Sequence, residues 1–255
     1  MKKFASEEFR ERIETRLGKV LRPQTHKNAR RSNTVILALK YRDGVILAAD
    51  RRTTTGDHVY SDTSNKITKL SPFSAVGHSG TCAAINWIME IYKLELDALR
   101  AKAQEEIPLA NQVRLFSNIV SIVSSILPDD FYSYFLMVGF DEIKKRTAII
   151  EIDWYLGDKF PHKSFGAIGS GSPEALGVLK DWFLTEQRTI QETDEKQALR
   201  VTLKALKAAA GEVHVSPPEL SPPNIVIFTD KDCHSLSEDE VEKLFGELKF
   251  GRRRK

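Results

Sequence analysis

The sequence predicts an α+β protein in which two antiparallel sheets stack face to face and helices cover both outer faces, a four-layer αββα sandwich. Three observations predict this architecture: two strand hairpins come first, two consecutive helical segments follow, and further strands then precede two more helical segments. A parallel doubly wound sheet fits less well, because the hairpins come before any helix of the core. The 255 residues suffice for one domain with a substantial core.

The first hairpin is predicted from two apolar runs, Thr34–Tyr41 and Val45–Asp50, around the turn Arg42-Asp43-Gly44. A turn centred near Asp43 places Asp50 close to Thr34 across the two strands. Residues that are distant in sequence thereby become neighbours.

The second hairpin is predicted over Lys66–Leu70 and Phe73–Gly77, with the turn at Ser71-Pro72. This turn places Lys66 roughly opposite Gly77, a short step from Gly80. We expect a helix to begin after Gly80, with unpaired backbone N–H groups that can stabilise a negatively charged oxygen.

The remaining elements follow from apolar periodicity. Helices are predicted at residues 81–103, 111–127, 173–184, 194–210 and 238–248, and strands at residues 134–140, 146–155, 165–168 and 224–229. The leader, residues 1–33, is polar with one weak amphipathic stretch at Phe9–Leu21, so we expect it to be an appendage outside the core.

Composition excludes several classes of function. No apolar run is long enough to span a membrane, and no apolar stretch follows the basic N-terminus, so neither a membrane span nor secretion is expected. Two cysteines fit a reducing cytoplasm better than a disulfide framework, and the scattered histidines predict no metal site. The leader carries ten Lys/Arg against four Asp/Glu, and residues 251–255 form a basic tail. Without interleaved aromatic residues or a binding motif, these basic ends predict no nucleic-acid binding.

Several segments together resemble the catalytic β-subunits of the proteasome core particle, of the prokaryotic type. The segments are Thr34-Val-Ile-Leu-Ala-Leu-Lys-Tyr, Gly44-Val-Ile-Leu-Ala-Ala-Asp50-Arg51-Arg52, Lys66, Gly77-His-Ser-Gly80-Thr81 and Gly169-Ser170-Gly171-Ser172-Pro173. The resemblance covers most of residues 34–250 and is most specific at 34–81. It implies an Ntn-hydrolase fold over 34–250, a pro-segment over 1–33 and no cofactor.

The resemblance also implies roles for individual residues. Thr34 is expected to be the nucleophile, with Asp50 and Lys66 as its ionic support. Gly80 is expected to donate to the oxyanion, and Ser170 to hydrogen-bond the free amine of Thr34. The neighbouring supporting residues implied by the same comparison are Arg52, Gly169, Gly171 and Ser216.

The chemistry of threonine explains why the leader has to be removed. A threonine hydroxyl is a poor nucleophile at neutral pH and needs an adjacent base. A free α-amino group, with an ordinary pKa of about 7.7–8.0, can act as that base, whereas the amide of an internal threonine cannot. Cutting the bond between Asn33 and Thr34, the expected processing site, would therefore activate the enzyme.

The same resemblance implies a pocket for the substrate residue that precedes the cut. Its lining is expected to be Thr53, Ser64, Thr68, His78, Cys82 and Asn86, a set more polar than apolar. If His78 lies at the pocket floor, its protonation would favour acidic side chains at mildly acidic pH.

Two positions depart from the family pattern. Asn33 replaces the usual glycine before the nucleophile, and Val213 stands where the family has a supporting aspartate. Because valine accepts no hydrogen bond, either Glu212 or His214 compensates, or the alignment shifts by one residue, or activity is reduced.

The predicted function is a self-processing threonine endopeptidase that degrades unfolded polypeptides inside a ring assembly. The resemblance implies a cytoplasmic heptameric ring, stacked on like or α-type subunits and served by an ATPase regulator. A catalytically silent structural subunit of such a ring is one alternative, and a non-proteolytic Ntn amidohydrolase is another.

Overall fold

The computed structural model describes residues 6–20, 31–32, 34–55, 58–128, 131–211 and 215–248. The helices are α1 (Glu7–Val20), α2 (Cys82–Ala103), α3 (Leu109–Ser124), α4 (Ser172–Lys180), α5 (Glu195–Ala209) and α6 (Glu238–Glu247). A π-helical turn, Asp181–Thr185, extends α4. The strands are β1 (Arg31–Ser32), β2 (Ile36–Tyr41), β3 (Gly44–Ala49), β4 (Thr53–Thr55), β5 (His58–Ser61), β6 (Ile67–Ser71), β7 (Ser74–Thr81), β8 (Ser133–Asp141), β9 (Arg146–Ile152), β10 (Lys159–His162), β11 (Phe165–Ile168), β12 (Asn224–Thr229) and β13 (Cys233–Ser235).

These strands form two sheets, and every pair within them is antiparallel. The larger sheet has the order β10-β9-β8-β7-β1-β4-β5, with β6 also paired to β7. The smaller sheet has the order β11-β2-β3-β12-β13. The leader therefore contributes a strand, β1, inside the larger sheet.

The core is divided into three apolar layers. One lies between the larger sheet and α2 and α3, a second between the smaller sheet and α4, α5 and α6, and the third between the two sheets. Strand β2 shows how one element serves two layers: Leu37 and Leu39 face α5, whereas Ile36 and Ala38 face the other sheet. This arrangement confirms the predicted four-layer sandwich.

Both predicted hairpins are present. In the first, Ile36 lies opposite Ala49 and Tyr41 opposite Gly44, as the position of the turn predicts. In the second, Ile67 lies opposite Gly77, so Lys66 is one residue from the approximate position that the predicted turn gives it. The turn lies at Pro72-Phe73, one residue later than predicted, so that Ser71 pairs with Ser74; an irregularity between Lys69 and Ser71 then offsets part of the shift.

The leader is more closely integrated than its polar composition predicts. Helix α1 packs on α2 and α3, and its residues Ile13 and Leu17 are completely buried in the layer that those helices form. The expectation of an appendage outside the core is therefore wrong for α1. Two buried residues one helical turn apart are enough to anchor a helix whose remaining surface is polar.

Candidate active site

Strand pairing brings Thr34 and Asp50 together. Both residues lie just outside the paired ends of β2 and β3, where the Asp50 N–H donates to the Val35 carbonyl at 3.1 Å. The Thr34 hydroxyl donates to Asp50 Oδ1, which also accepts from the Val35 N–H at 3.0 Å. Thr34 is fully buried.

Lys66 completes a buried group of three side chains. Its Nζ lies 2.5 Å from Thr34 Oγ1 and 2.9 Å from Asp50 Oδ1. Lys66 precedes β6. Its carbonyl accepts from the His78 N–H at 3.1 Å, and this hydrogen bond fixes the backbone from which the side chain extends. Burial lowers the pKa of the Lys66 ammonium, an effect that the Asp50 carboxylate opposes. A cation in this position can stabilise negative charge that develops on the Thr34 oxygen.

The second carboxylate oxygen of Asp50 accepts hydrogen bonds from Arg52 and Ser216. Oδ2 accepts from the Arg52 N–H at 2.9 Å, from the Ser216 N–H at 3.1 Å and from the Ser216 hydroxyl at 3.3 Å. The Ser216 hydroxyl oxygen in turn accepts from the Arg51 N–H at 3.0 Å. Hydrogen bonds to both oxygens offset the free-energy cost of burying the Lys66–Asp50 pair. Ser216 and Arg52, which the resemblance names as supporting residues, thus both contact Asp50.

Two glycines allow the chain to pass the carbonyl of Thr34. Gly169 has a φ of +95°, and a Cβ there would lie 2.2 Å from the Thr34 oxygen. Gly171 donates its N–H to that oxygen at 3.2 Å, and a Cβ there would lie 3.1 Å from Val215 and 3.2 Å from Val35. Only glycine fits the first position, so this turn holds the Thr34 carbonyl while Asp50 contacts the Thr34 hydroxyl.

Ser170, between these glycines, is placed differently. Its side chain is exposed and makes no hydrogen bond with a described residue. The nitrogen of Thr34 belongs to a peptide bond in this chain, so the expected contact between Ser170 and a free amine stays a prediction for the cut form.

Gly80 lies beside the leader strand. It is the penultimate residue of β7, with a φ of +124°, and a Cβ there would lie 2.3 Å from the Tyr132 oxygen. Ser32 is the partner of Gly80 in the sheet, and Arg31 pairs with both Thr81 and Thr54. An extended segment can therefore bind between β7 and β4 by strand pairing, directly before the candidate nucleophile. The sequence reasoning missed β4, although the run Thr53–Thr55 is typical of a strand.

The six residues expected to line the specificity pocket come from β4, the segment before β6, β6, β7 and α2. The Thr53 hydroxyl donates to the Ser64 oxygen at 2.8 Å. His78 is partly exposed, but its Nδ1 is buried without a hydrogen-bond partner. The remaining members are Thr68 on β6, Cys82 at the start of α2, and Asn86, which is exposed on α2.

Burial and the nearby charge of Lys66 lower the pKa of His78 to about 4. The imidazole is therefore neutral at mildly acidic pH. The expectation that its protonation there favours acidic side chains is corrected accordingly.

Some predicted features fall outside the described residues. These are Asn33, the segment 212–214 with Val213, and the basic tail. In the part of the chain that is described, no three His, Cys, Asp or Glu side chains are grouped to hold a metal ion. Among the same residues, no helix combines the length and apolar character needed to cross a membrane.

Comparison with known proteins gives a consistent result. The family model described as "Proteasome subunit" matches residues 31–221. The chain is similar to proteasome subunit beta 1 of Thermococcus onnurineus, with 27% identity over 211 residues, 83% of this chain and 96% of that protein. It is also similar to proteasome subunit beta 1 of Streptomyces avermitilis, with 29% identity covering 84% and 76% of the two chains. A third relative, proteasome subunit beta of Archaeoglobus profundus, is 26% identical over 85% of this chain and 94% of its own.

Proposed function

The chain belongs to the proteasome subunit family, and we propose that it is a threonine endopeptidase that activates itself by removing residues 1–33. The observation that carries the proposal is the buried contact of Thr34 with both Asp50 and Lys66, at the residue where the leader would end. In this proposal residues 34–250 are the catalytic domain, residues 1–33 are a pro-segment and 251–255 are a basic tail.

Self-cleavage begins with the hydroxyl of Thr34. Its oxygen attacks the carbonyl carbon of residue 33, the bond from that carbon to the Thr34 nitrogen breaks, and the nitrogen gains the proton that the hydroxyl loses. Water then hydrolyses the resulting ester, which releases residues 1–33 and restores the hydroxyl. Asp50 Oδ1 accepts the hydrogen bond of the hydroxyl, and the Lys66 ammonium stabilises the oxygen as it becomes negative.

The same group then serves substrate hydrolysis. The amine released on Thr34 is the base that takes the hydroxyl proton, and the adjacent Lys66 charge favours its unprotonated form. Gly80 donates to the oxyanion, while an extended peptide pairs in the place that Arg31 and Ser32 occupy before cleavage.

The proposed setting is that of the family. Proteasome subunits assemble into a multi-subunit particle, and we propose a cytoplasmic heptameric ring stacked on like or α-type subunits. Its substrates would be unfolded polypeptides delivered by an ATPase regulator.

A catalytically silent ring subunit is the second candidate. The observation that favours it is the state of Thr34, which is fully buried while the leader fills the strand position beside Gly80. A silent subunit would keep this arrangement permanently.

Intact mass of the purified protein distinguishes the two candidates. We expect the wild type to lose residues 1–33 and Thr34→Ala to keep them. Thr34→Ser retains a hydroxyl, so it should still lose them, but more slowly than the wild type. A wild type that keeps its full mass under all conditions would favour the silent subunit.

Lys66 offers a second test of the same proposal. Lys66→Met leaves Asp50 as a buried charge without its cation, which should destabilise the fold by about 3–5 kcal/mol. Self-cleavage should be lost as well, because nothing else beside Thr34 Oγ1 supplies positive charge among the described residues. Lys204→Met, at an exposed position on α5, is the matched control and should change neither mass nor melting temperature. Normal processing in Lys66→Met would contradict the role given to the ammonium.

A further inference from the structure

Helix α1 lies against α2 and α3 in the way that a helical ligand lies in a binding groove. Ile13 and Leu17 are four residues apart, so they lie on one face of α1, and both are completely buried against α2 and α3. Phe9, one turn earlier, packs against the same layer. This spacing is the one by which amphipathic helices bind in grooves.

The charges at this contact are complementary. Glu95 on α2 has a side chain only 7% exposed, and it accepts from Arg12 Nη2 at 2.8 Å and pairs with Arg16 Nη1 at 2.9 Å. Within the described chain, both cations that reach Glu95 come from the leader. A buried carboxylate needs such partners, because leaving it unpaired is costly. The face formed by α2 and α3 is therefore suited to an amphipathic helix that carries arginines beside its apolar face, as α1 does.

None of these contacts involves the bond between residues 33 and 34. The last of them, at Leu17, lies sixteen residues before Asn33, so cutting that bond removes neither the buried side chains nor the ion pairs. The cut leader also retains its second point of contact, the strand β1 between β7 and β4. Ten residues, 21–30, connect the two points, and a connection this short keeps the second point at a high effective concentration once the first is bound.

We propose that the α2–α3 face is a receptor site that retains the leader after cleavage, so that the leader is a reversible, two-point inhibitor of the cut enzyme. The inhibition rests on the proposed function, whereas the binding does not. Helix α1 supplies affinity, and Arg31–Ser32 occupies the place in the larger sheet that an extended substrate needs. Full activity then requires release of the helix as well as cleavage of the bond.

The packing allows such release. A cleft of about 480 Å³ remains beside the contact, lined in part by Phe9 and Arg12 of the leader and by Leu115 and Asn118 of α3. The described contacts that hold the helix are those of Ile13, Leu17 and Phe9 and the ion pairs with Glu95, and the side of the helix next to this cleft faces open space.

Binding can be tested without self-cleavage. In full-length Thr34→Ala, part of residues 21–30 is replaced by a recognition sequence for a specific protease, and the protein is cut there. Native mass spectrometry and gel filtration then show whether the fragment that contains α1 stays bound. We expect the fragment to stay with the body of the protein at low micromolar concentration. Complete separation under these conditions would overturn the proposal.

Matched variants test the contact itself. Glu95→Gln should weaken retention of the fragment at least about tenfold, since both guanidinium groups lose their anion. Glu90→Gln, at an exposed position of the same helix, should leave retention unchanged. Ile13→Ser lies in the fragment and not in the α2–α3 face, so it leaves the sequence of the receptor site unchanged. It should also weaken retention of the fragment. Equal retention in all three variants would contradict the assigned surface.

The inhibition is tested in chains with an intact Thr34. After self-cleavage, the wild type should show a lag in peptide hydrolysis that Glu95→Gln shortens and that Glu90→Gln does not. A wild type that cuts itself and sheds the leader at once would refute the retention but leave the proposed function standing. A chain that never cuts itself, yet holds the fragment released by the added protease, would refute the proposed function and support the receptor site.

Discussion

Lys66 and Asp50 form a buried ion pair, an arrangement that costs free energy unless every polar group finds a partner. The first hairpin predicts that Asp50 lies close to Thr34, because it turns linear spacing into proximity, and it has the predicted register. The place of Lys66 beside them was implied only by the family resemblance. The partner of Asp50 on its other side, Ser216, lies 166 residues away and follows no such rule. Only the resemblance to a family indicated it, and no periodicity or turn signal could have done so.

Gly169 gives a prediction about backbone conformation at the site. Gly169→Ala puts a Cβ 2.2 Å from the Thr34 oxygen at a φ of +95°, so the turn has to move. We expect a lower melting temperature and markedly slower self-cleavage, measured by calorimetry and by intact mass over time.

Gly177, in the middle of α4, is the matched control. A Cβ there meets nothing within 4 Å, and alanine favours a helix over glycine by about 1 kcal/mol. Gly177→Ala should therefore raise the melting temperature without affecting cleavage. Equal effects of the two substitutions would show that the conformation of Gly169 is unimportant.

His78 gives a prediction about pH. Its pKa is about 4 in the folded protein, below the ordinary 6.5, so between these values the unfolded chain binds more protons than the folded one. The contribution of His78 to stability is present above pH 6.5 and is lost as the pH falls toward 4. Denaturant unfolding at several pH values should show a steeper loss of stability in the wild type than in His78→Asn. Parallel curves for the two proteins would mean that the imidazole titrates normally.

At the scale of elements, the long and strongly periodic segments were the predictable ones. The predicted limits of β11 and β12 are those observed, and the helices differ by a few residues at their ends. The missed strands, β1, β4, β5, β10 and β13, have two to four residues each, too few for an alternating pattern to be recognised. The sequence predicts α1 as an amphipathic stretch. Its burial depends on a surface formed by α2 and α3, which the local sequence of α1 cannot indicate.

Two capping boxes allow a prediction about the helices of the smaller sheet. Asp194 caps α5 by accepting from the Gln197 N–H at 2.8 Å, and Ser237 caps α6 in the same manner. Replacing either cap by alanine costs about 1 kcal/mol of local helix stability. Helix α5 carries eight buried residues and α6 carries one, Val241, so Asp194→Ala should lower the global melting temperature more than Ser237→Ala.

Hydrogen exchange gives the complementary measurement for these caps. Ser237→Ala should increase exchange mainly within α6, because that helix can open without exposing the core. Equal global destabilisation by both substitutions would show that α6 is as tightly coupled to the core as α5.

At the scale of the whole molecule, the edges of the larger sheet expose apolar side chains. Tyr60 on β5 is 58% exposed at one edge, and Phe160 on β10 is 51% exposed at the other. Two different apolar edges on one subunit are suited to head-to-tail contacts, which form a ring when the rotation between neighbours closes. The sequence alone could not indicate them, because both lie on strands that it failed to predict.

Assembly can be tested at these edges by light scattering. We expect the wild type to form a particle of ring size and Phe160→Glu to shift the population to smaller species without lowering the melting temperature. Leu220→Glu, at an exposed apolar position outside the strands of both sheets, is the control and should leave the particle intact. A wild type that remains monomeric at high concentration would contradict the proposed ring.

The bond between Ser216 and Asp50 also sets an order of events during synthesis. A ribosome produces Thr34, Asp50 and Lys66 early, but the serine that holds the carboxylate, and the strand β12 that pairs with β3, emerge only near the end of translation. Until then Asp50, which accepts from the Thr34 hydroxyl, lacks its hydrogen bonds from Ser216. Under the proposed function, a growing chain could not cut itself until its last part had been made, because that part is needed to complete the surroundings of Thr34.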